Sequence, residues 1–181
     1  MDVHTQSFLN NHPCFNKGAS VNWGRVHLPV APNCNIQCNF CNRMYDCANE
    51  NRPGVTQKVY TPDEAVAYLE KLFKDRQDIS VIGIAGPGDP MCDADKTLPT
   101  FEKCRARFPH LMLCLSTNGL ALPEHVDDIV RIGVSHVTVT VNAVTPSVGG
   151  KVYAWVRYNG KTYTGEEGAA ILLARQDEGI R

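Results

Sequence analysis

The run Arg25-Val-His-Leu-Pro-Val-Ala-Pro-Asn-Cys-Asn-Ile-Gln-Cys-Asn-Phe-Cys-Asn-Arg43 passes from a strand-like apolar stretch directly into a loop with cysteines at Cys34, Cys38 and Cys41. The spacing is Cys-x3-Cys-x2-Cys. Three thiolates on one short loop can hold three corners of a [4Fe-4S] cube. One iron is then left without a protein ligand, able to bind something else, and chemistry is expected there. A zinc ion with Cys47 or a histidine as fourth donor is the alternative, but structural zinc sites usually pair their cysteines as Cys-x2-Cys twice.

Outward from this run, strand-like and helix-like segments alternate. Thr61-Pro-Asp-Glu64 has the form of a capping box with proline at the first helical position, and Val66, Leu69 and Phe73 follow at helical spacing as far as Lys74 and Arg76. Ile79-Ser-Val-Ile-Gly-Ile-Ala85 suits a strand buried on both faces and ends in Gly86-Pro-Gly-Asp-Pro90. A helix over residues 98–108, a strand over 111–116 running into Thr117-Asn-Gly119, a helix from Pro123 to near Gly133 and a strand over 136–142 follow. Tyr158-Asn-Gly-Lys161 marks the tight turn of a small hairpin, and Thr164-Gly-Glu-Glu167 opens a last capped helix.

Repeated strand-loop-helix units call for parallel strands with right-handed crossovers. The expected class is therefore α/β, an open or partial (βα) barrel with outer helices. One such domain is expected over residues 25–181, preceded by an arm over residues 1–24. The last helix has no strand after it, so the chain is expected to be a piece of a longer barrel or to be completed by a partner.

In parallel α/β folds, sites form at the C-terminal ends of the strands. The cysteine loop, the Gly86–Pro90 loop, Ser116-Thr-Asn118 and Asn142 all fall on such ends, so four separate runs are expected to meet on one rim. Alternation along the strands puts Met112, Cys114 and Ser116 on one face and Leu111, Leu113 and Leu115 on the other. Likewise Thr138, Thr140 and Asn142 oppose Val137, Val139 and Val141. The apolar sets are expected against the outer helices, and Cys114 with the polar sets on the interior.

The 181 residues are 43% hydrophobic and 20% charged, enough for one sizeable core. A net charge of -1 and a pI of about 6.6 provide no basic field for nucleic acid or an anionic membrane. No leader-like N-terminus or membrane-length apolar run is present, so a cytoplasmic location is expected. Eight cysteines are many for a reducing compartment, where clustered thiols more often bind metal or react. Cys104, at helical spacing with Phe101 and Phe108, reads as a core thiol. His4, His110, His125 and His136 read as solvated.

The triplet with aromatic Phe40 just before its last cysteine resembles the signature of radical S-adenosylmethionine enzymes. In that superfamily the methionine amino and carboxylate groups of the cofactor chelate the open iron, and an electron from the cluster cleaves the sulfonium to a 5'-deoxyadenosyl radical. Gly86, Gly88 and Asp89 stand where the superfamily has a glycine-rich loop for the methionine amine. Ser116 and Asn118 stand where it has ribose-binding groups, and Thr140 and Asn142 complete the rim.

The resemblance is closer to one branch. His12-Pro-Cys-Phe15, His27-Leu-Pro-Val-Ala-Pro32, the cysteine loop, Asp46-Cys-Ala-Asn-Glu50, Arg52-Pro-Gly-Val55, Ile84-Ala-Gly-Pro-Gly-Asp-Pro90 and Cys114-Leu-Ser-Thr-Asn-Gly119 are similar, in order and spacing, to the nitrogenase-cofactor maturases of that superfamily. The similarity implies fusion of two [4Fe-4S] substrate clusters into an eight-iron precursor, with a central carbide from an S-adenosylmethionine methyl group and a ninth sulfur. It also implies cluster-donor, carrier or scaffold, and reductant proteins as partners. Cys14, Cys47 and Cys114 become candidate ligands of the additional clusters, with His12 or His27 as nitrogen ligand. Glu50, in a matching string, becomes a candidate proton acceptor. The family barrel continues for further strands and carries a C-terminal Cys-x2-Cys that this chain lacks. Two alternatives stay open at this point: radical chemistry on an organic substrate, and a non-catalytic iron-sulfur scaffold.

Overall fold

A computed structural model describes residues 12–42 and 58–181. After one helical turn, α1 (Ala19–Asn22), the chain enters β1 (Gly24–Ala31) and then β2 (Ile36–Cys38) within the cysteine loop. Helix α2 (Pro62–Asp75), β3 (Ile79–Pro87), α3 (Ala94–Arg107) and β4 (Met112–Thr117) follow. A 3-10 turn at Pro123–His125 leads into α4 (Val126–Ile132), β5 (His136–Val139), α5 (Pro146–Val152), the hairpin β6 (Tyr153–Tyr158) and β7 (Lys161–Tyr163), and α6 (Gly165–Ile180).

Strands β1, β3, β4 and β5 form one parallel sheet in that order. The expected α/β class with parallel strands is what the chain forms. The alternation holds in the inner strands: Val26, Leu28 and Val30 of β1, Ile82 and Ile84 of β3, and Leu113 and Leu115 of β4 pack with Leu69 of α2 and Phe101 and Cys104 of α3 in the main core. At the edge strand β5 it does so only in part, for Val139 packs against this core while Val137 and Val141, expected there too, are exposed. Truncating a fully buried leucine such as Leu113 to alanine costs about 2–5 kcal/mol. Val81, Met112 and Cys114 form a separate small cluster on the opposite face.

A local signal accounts for the start of α2. The Thr61 hydroxyl accepts the Glu64 N–H at 3.3 Å and the Glu64 carboxylate accepts the Thr61 N–H at 2.9 Å, the expected reciprocal box at the head of α2. In contrast, α3 begins at Ala94, four residues before the expected start, and Asp93 makes no cap bond because its carboxylate is engaged by Asn33. Thr164 makes no cap bond either, for a box needs helical dihedrals from the first residue onward and Gly165 has φ 59°. Strand β5 stops at Val139, three residues short of expectation.

A second, antiparallel sheet in the order β2-β6-β7 was not foreseen beyond its hairpin. The hairpin turns at Asn159 and Gly160, both at positive φ (49° and 73°), as a two-residue turn of this type requires. Strand β2 pairs with β6 through Ile36 and Val156, Gln37 and Trp155, and Cys38 and Tyr153. Ile36, Cys38, Tyr153 and Val156 then share a second core with Leu120 and with Ala169 and Leu172 of α6. The middle of the cysteine loop is thereby stitched to residues more than a hundred positions away. Among the described residues, no helix is long and apolar enough to cross a membrane.

Candidate functional site

The four strand ends do meet, and they interlock through the backbone. At the end of β1 the Ala31 carbonyl accepts the Gly88 N–H at 2.6 Å, and the Asn33 carbonyl accepts the Asp89 N–H at 2.6 Å. An added Cβ on Gly88 would lie 2.0 Å from the Asn33 oxygen, so only glycine lets these two loops approach. Asp93 accepts from both the backbone and side-chain N–H groups of Asn33, each at 2.7 Å. The glycine loop and the cysteine loop are therefore tied to each other at several points.

Within the triplet, Cys38 is buried in β2 while Cys34 and Cys41 are half-buried, and none of the three is in a disulfide. Gln37 donates its side-chain amide to the carbonyls of Cys38 and Cys41, both at 2.9 Å, and the Cys41 N–H closes a turn on the Cys38 carbonyl at 3.0 Å. Asn118, at the end of β4, donates to Asn35 Oδ1 at 2.7 Å and lies 3.6 Å from Cys34 Sγ. Phe40 is exposed beside the loop.

Asp89 sits under this rim. Its carboxylate accepts from the Thr117 hydroxyl at 3.0 Å to each oxygen, from the Asn118 N–H at 2.5 Å, and from the Met91 and Cys92 N–H groups at 3.0 and 3.2 Å. Burial pushes its pKa up, and the donors from Asn118, Thr117, Cys92 and Met91 pull against that. These donors occupy both oxygens, so Asp89 clamps the glycine loop to β4. Gln176 of α6 does the same for the neighbouring strand ends, donating to the carbonyls of Asn118 (2.7 Å) and Thr140 (3.0 Å) from a buried position.

Behind the rim, register lines up one row across the whole parallel sheet. His27 of β1 pairs with Gly83 of β3, Gly83 with Cys114 of β4, and Cys114 with His136 of β5. Residues in register on parallel strands project to the same face, so His27, Cys114 and His136 share the interior side. Strands two apart stand roughly 10 Å from each other, and the His27 ring spans part of that gap by lying over Gly83. A Cβ there would be 2.5 Å from His27 Cε1.

The arm reaches the far end of this row. His12 is fully buried, with its ring 4.3 Å from that of His136. Burial, then His136 and Arg25, bring its pKa from 6.5 down to about 4, and burial lowers that of His136. The His12 ring is therefore neutral at neutral pH. Cys14 is exposed and contacts the Arg25 guanidinium.

Ser116 is buried on the interior face next to Cys114. Thr140 and Asn142 lie half-buried just beyond β5; the Thr140 N–H donates to the Thr117 carbonyl at 2.9 Å and the Asn142 N–H to the Tyr153 hydroxyl at 3.3 Å. Gly86, expected in the loop, is the penultimate residue of β3, which runs on through Pro87. Cys47 and Glu50 lie outside the described residues. His136, expected to be solvated, is instead half-buried and stacked, because the arm folds back onto the sheet edge. Its parity with Thr138 and Thr140 was the available signal. For Gln176 the signal was a polar residue in the stripe Ala169, Leu172, Gln176.

Comparison with known proteins agrees with this geometry. The model of the Radical SAM superfamily matches residues 28–174. Over 168 residues, 93% of the chain, it is 49% identical to the FeMo cofactor biosynthesis protein NifB of Chlorobaculum tepidum, of which it covers 40%. The NifB of Sinorhizobium fredii is 49% identical over 180 residues, 99% of the chain and 36% of that protein. That of Klebsiella pneumoniae is 48% identical over 170 residues, 94% of the chain and 36% of that protein. The chain thus spans well under half the length of these curated relatives. A cysteine triplet at the end of the first strand of a parallel sheet, locked to a glycine loop on the second, lies inside a family match covering most of the sequence, and the chain belongs to the Radical SAM superfamily.

Proposed function

We propose that this chain carries the radical-generating centre of a nitrogenase-cofactor maturase, on a sheet read as a partial barrel in the cytoplasm. Superfamily membership brings a [4Fe-4S] cluster and S-adenosylmethionine, and the donor chemistry fits: three thiols on one loop, outside any disulfide, beside polar strand ends. Cys34, Cys38 and Cys41 would hold the cluster. Gly86, Gly88, Ser116, Asn118, Thr140 and Asn142, with Phe40 beside the last cysteine, would line the S-adenosylmethionine site, and Asp89 would keep that wall in shape from below. When bound, the cluster supplies the electron that cleaves the sulfonium. The chain itself holds three cysteines at fixed spacing, and the Asn33, Asn118 and Gln176 contacts keep the loops from spreading.

The substrates in this proposal are two [4Fe-4S] clusters, fused with a carbide and a further sulfur into an [8Fe-9S-C] precursor. Cys14, Cys47 and Cys114, with His12 or His27, would hold them, and Glu50 would accept a proton. A cluster donor, a cofactor carrier and a reductant protein are the partners that such chemistry needs. The observation that carries the proposal is the pairing of His27 and Cys114 across Gly83 on the inner face of the sheet whose rim bears the triplet. An enzyme with an organic substrate has no need of a nitrogen and a sulfur donor held there.

The test is the iron and sulfide content of anaerobically reconstituted chain, with and without alanine at Cys34, Cys38 and Cys41. About eight or more irons per chain, falling by about four in the triplet variant, are expected. About four, falling to none, would leave a single-cluster enzyme and end the cluster-fusing assignment.

A further inference from the structure

His136 is where the N-terminal arm meets the parallel sheet. Three rings close a triangle there: His12 to His136 at 4.3 Å, His12 to Phe15 at 4.7 Å, and Phe15 to His136 at 5.1 Å with planes 7° apart. The ring buried in this stack also shapes the arm. His12 Nδ1 accepts the Cys14 N–H at 3.1 Å, and the His12 carbonyl accepts the N–H groups of Phe15 and Asn16 at 3.2 and 3.1 Å. Docking of His12 and the backbone placement of Cys14 are thus one event.

The other side of the stack is anchored to β4. His136 Nδ1 is 3.0 Å from the Ser135 hydroxyl, which lies 3.0 Å from the Leu113 carbonyl, and the Ser135 N–H donates to that same carbonyl at 2.9 Å. The plane of the His136 ring is therefore set relative to the strand that carries Cys114, with which His136 is in register. Offset-stacked and tilted ring pairs at these separations are favourable beyond the area they bury.

Resting on the proposed assignment of the arm to the substrate clusters, we propose that His136 is a positioning residue that docks the arm, so that His12 stands at the His136 end of the interior row and Cys14, two residues on, is held against Arg25. Its role is the ring platform, not ligation. Two variants of the full chain separate these: His136→Asn keeps a polar partner for Ser135 and loses the ring, whereas His136→Phe keeps the ring and loses both nitrogens.

The experiment reads amide hydrogen exchange at residues 14–16 and the iron content after anaerobic reconstitution. In His136→Asn, exchange at these amides is expected to speed up about tenfold, as the loss of two ring contacts implies, and iron beyond the triplet's cube is expected to fall. In His136→Phe both are expected to stay near wild type. Unchanged arm protection in His136→Asn would overturn the proposal. So would loss of the additional iron in His136→Phe with the arm still protected, since a ring nitrogen would then be the operative group. Wild-type protein holding one cube only would remove the substrate-cluster assignment, while the exchange comparison would still decide whether His136 docks the arm.

Discussion

The Thr117 hydroxyl lies 3.0 Å from each carboxylate oxygen of Asp89, joining the end of one strand to the loop that follows its neighbour. Thr117→Val removes this donor from a buried carboxylate and is expected to cost about 1–3 kcal/mol in urea unfolding, with Thr117→Ser retaining most of it. The pH dependence follows from the raised pKa of Asp89, whose largest cause is burial. The folded state holds this proton more tightly than the unfolded chain, so the contribution is full below the ordinary value of 3.8 and is lost as pH rises through the folded value. Removing the Thr117 donor raises the folded value further, and the loss is expected to extend to higher pH in the variant.

Gly88→Ala places a methyl group 2.0 Å from the Asn33 carbonyl oxygen and 2.8 Å from the Pro32 carbonyl carbon. Both obstacles are backbone, so the cysteine loop must shift. A loss of about 3 kcal/mol or more is expected by thermal or denaturant unfolding. A wild-type midpoint would show that the two loops are not locked together.

Gly83→Ala meets a side chain instead, the His27 ring at 2.5 Å. The ring can swing aside, so stability is expected to fall by only about 1–2 kcal/mol. The His27 ring is displaced, however, and with His27 as the proposed nitrogen ligand iron beyond the triplet's cube is expected to drop while the triplet stays loaded. Spectroscopy of the reconstituted variant distinguishes the two.

Gln176→Leu leaves the Asn118 and Thr140 carbonyls without the amide that bridges them. About 2 kcal/mol or more of stability is expected to go with it. Because Asn118 also contacts Asn35 and Cys34, the triplet cluster is expected to become more labile to chelator.

Burial pushes the Cys104 thiol up from 9.0 to about 12. Alkylation of the apo chain near pH 8 is therefore expected to spare Cys104 until the protein is unfolded. Since the folded state keeps the proton that the unfolded chain gives up, stability is expected to fall as pH rises above 9. Peptide mapping after a brief iodoacetamide pulse checks the first point.

What could be read from residues alone was local. The Thr61 box, the apolar alternation of Leu111, Leu113 and Leu115 against Met112, Cys114 and Ser116, the Asn159-Gly160 turn and the core position of Cys104 each depend on residues a few positions apart. Backbone sterics and burial of an apolar face decide such features without reference to the rest of the chain. The placement of four polar runs on one rim was legible for the same reason, because parallel strands put their C-terminal ends on one edge.

Contacts between distant segments were not legible. The pairing of Ile36 with Val156, the grip of Gln176 on Asn118 and the stacking of His136 on His12 link positions 58 to 124 residues apart. No periodicity encodes such partners. The sequence determined the parallel strands and the helices between them, the cysteine triplet and the face on which Cys114 lies, since these follow from local geometry. Only the tertiary structure decided that Asp89 clamps a loop, that His27 lies over Gly83 and that His136 carries the arm, because each depends on register and close approach between strands joined through long crossovers.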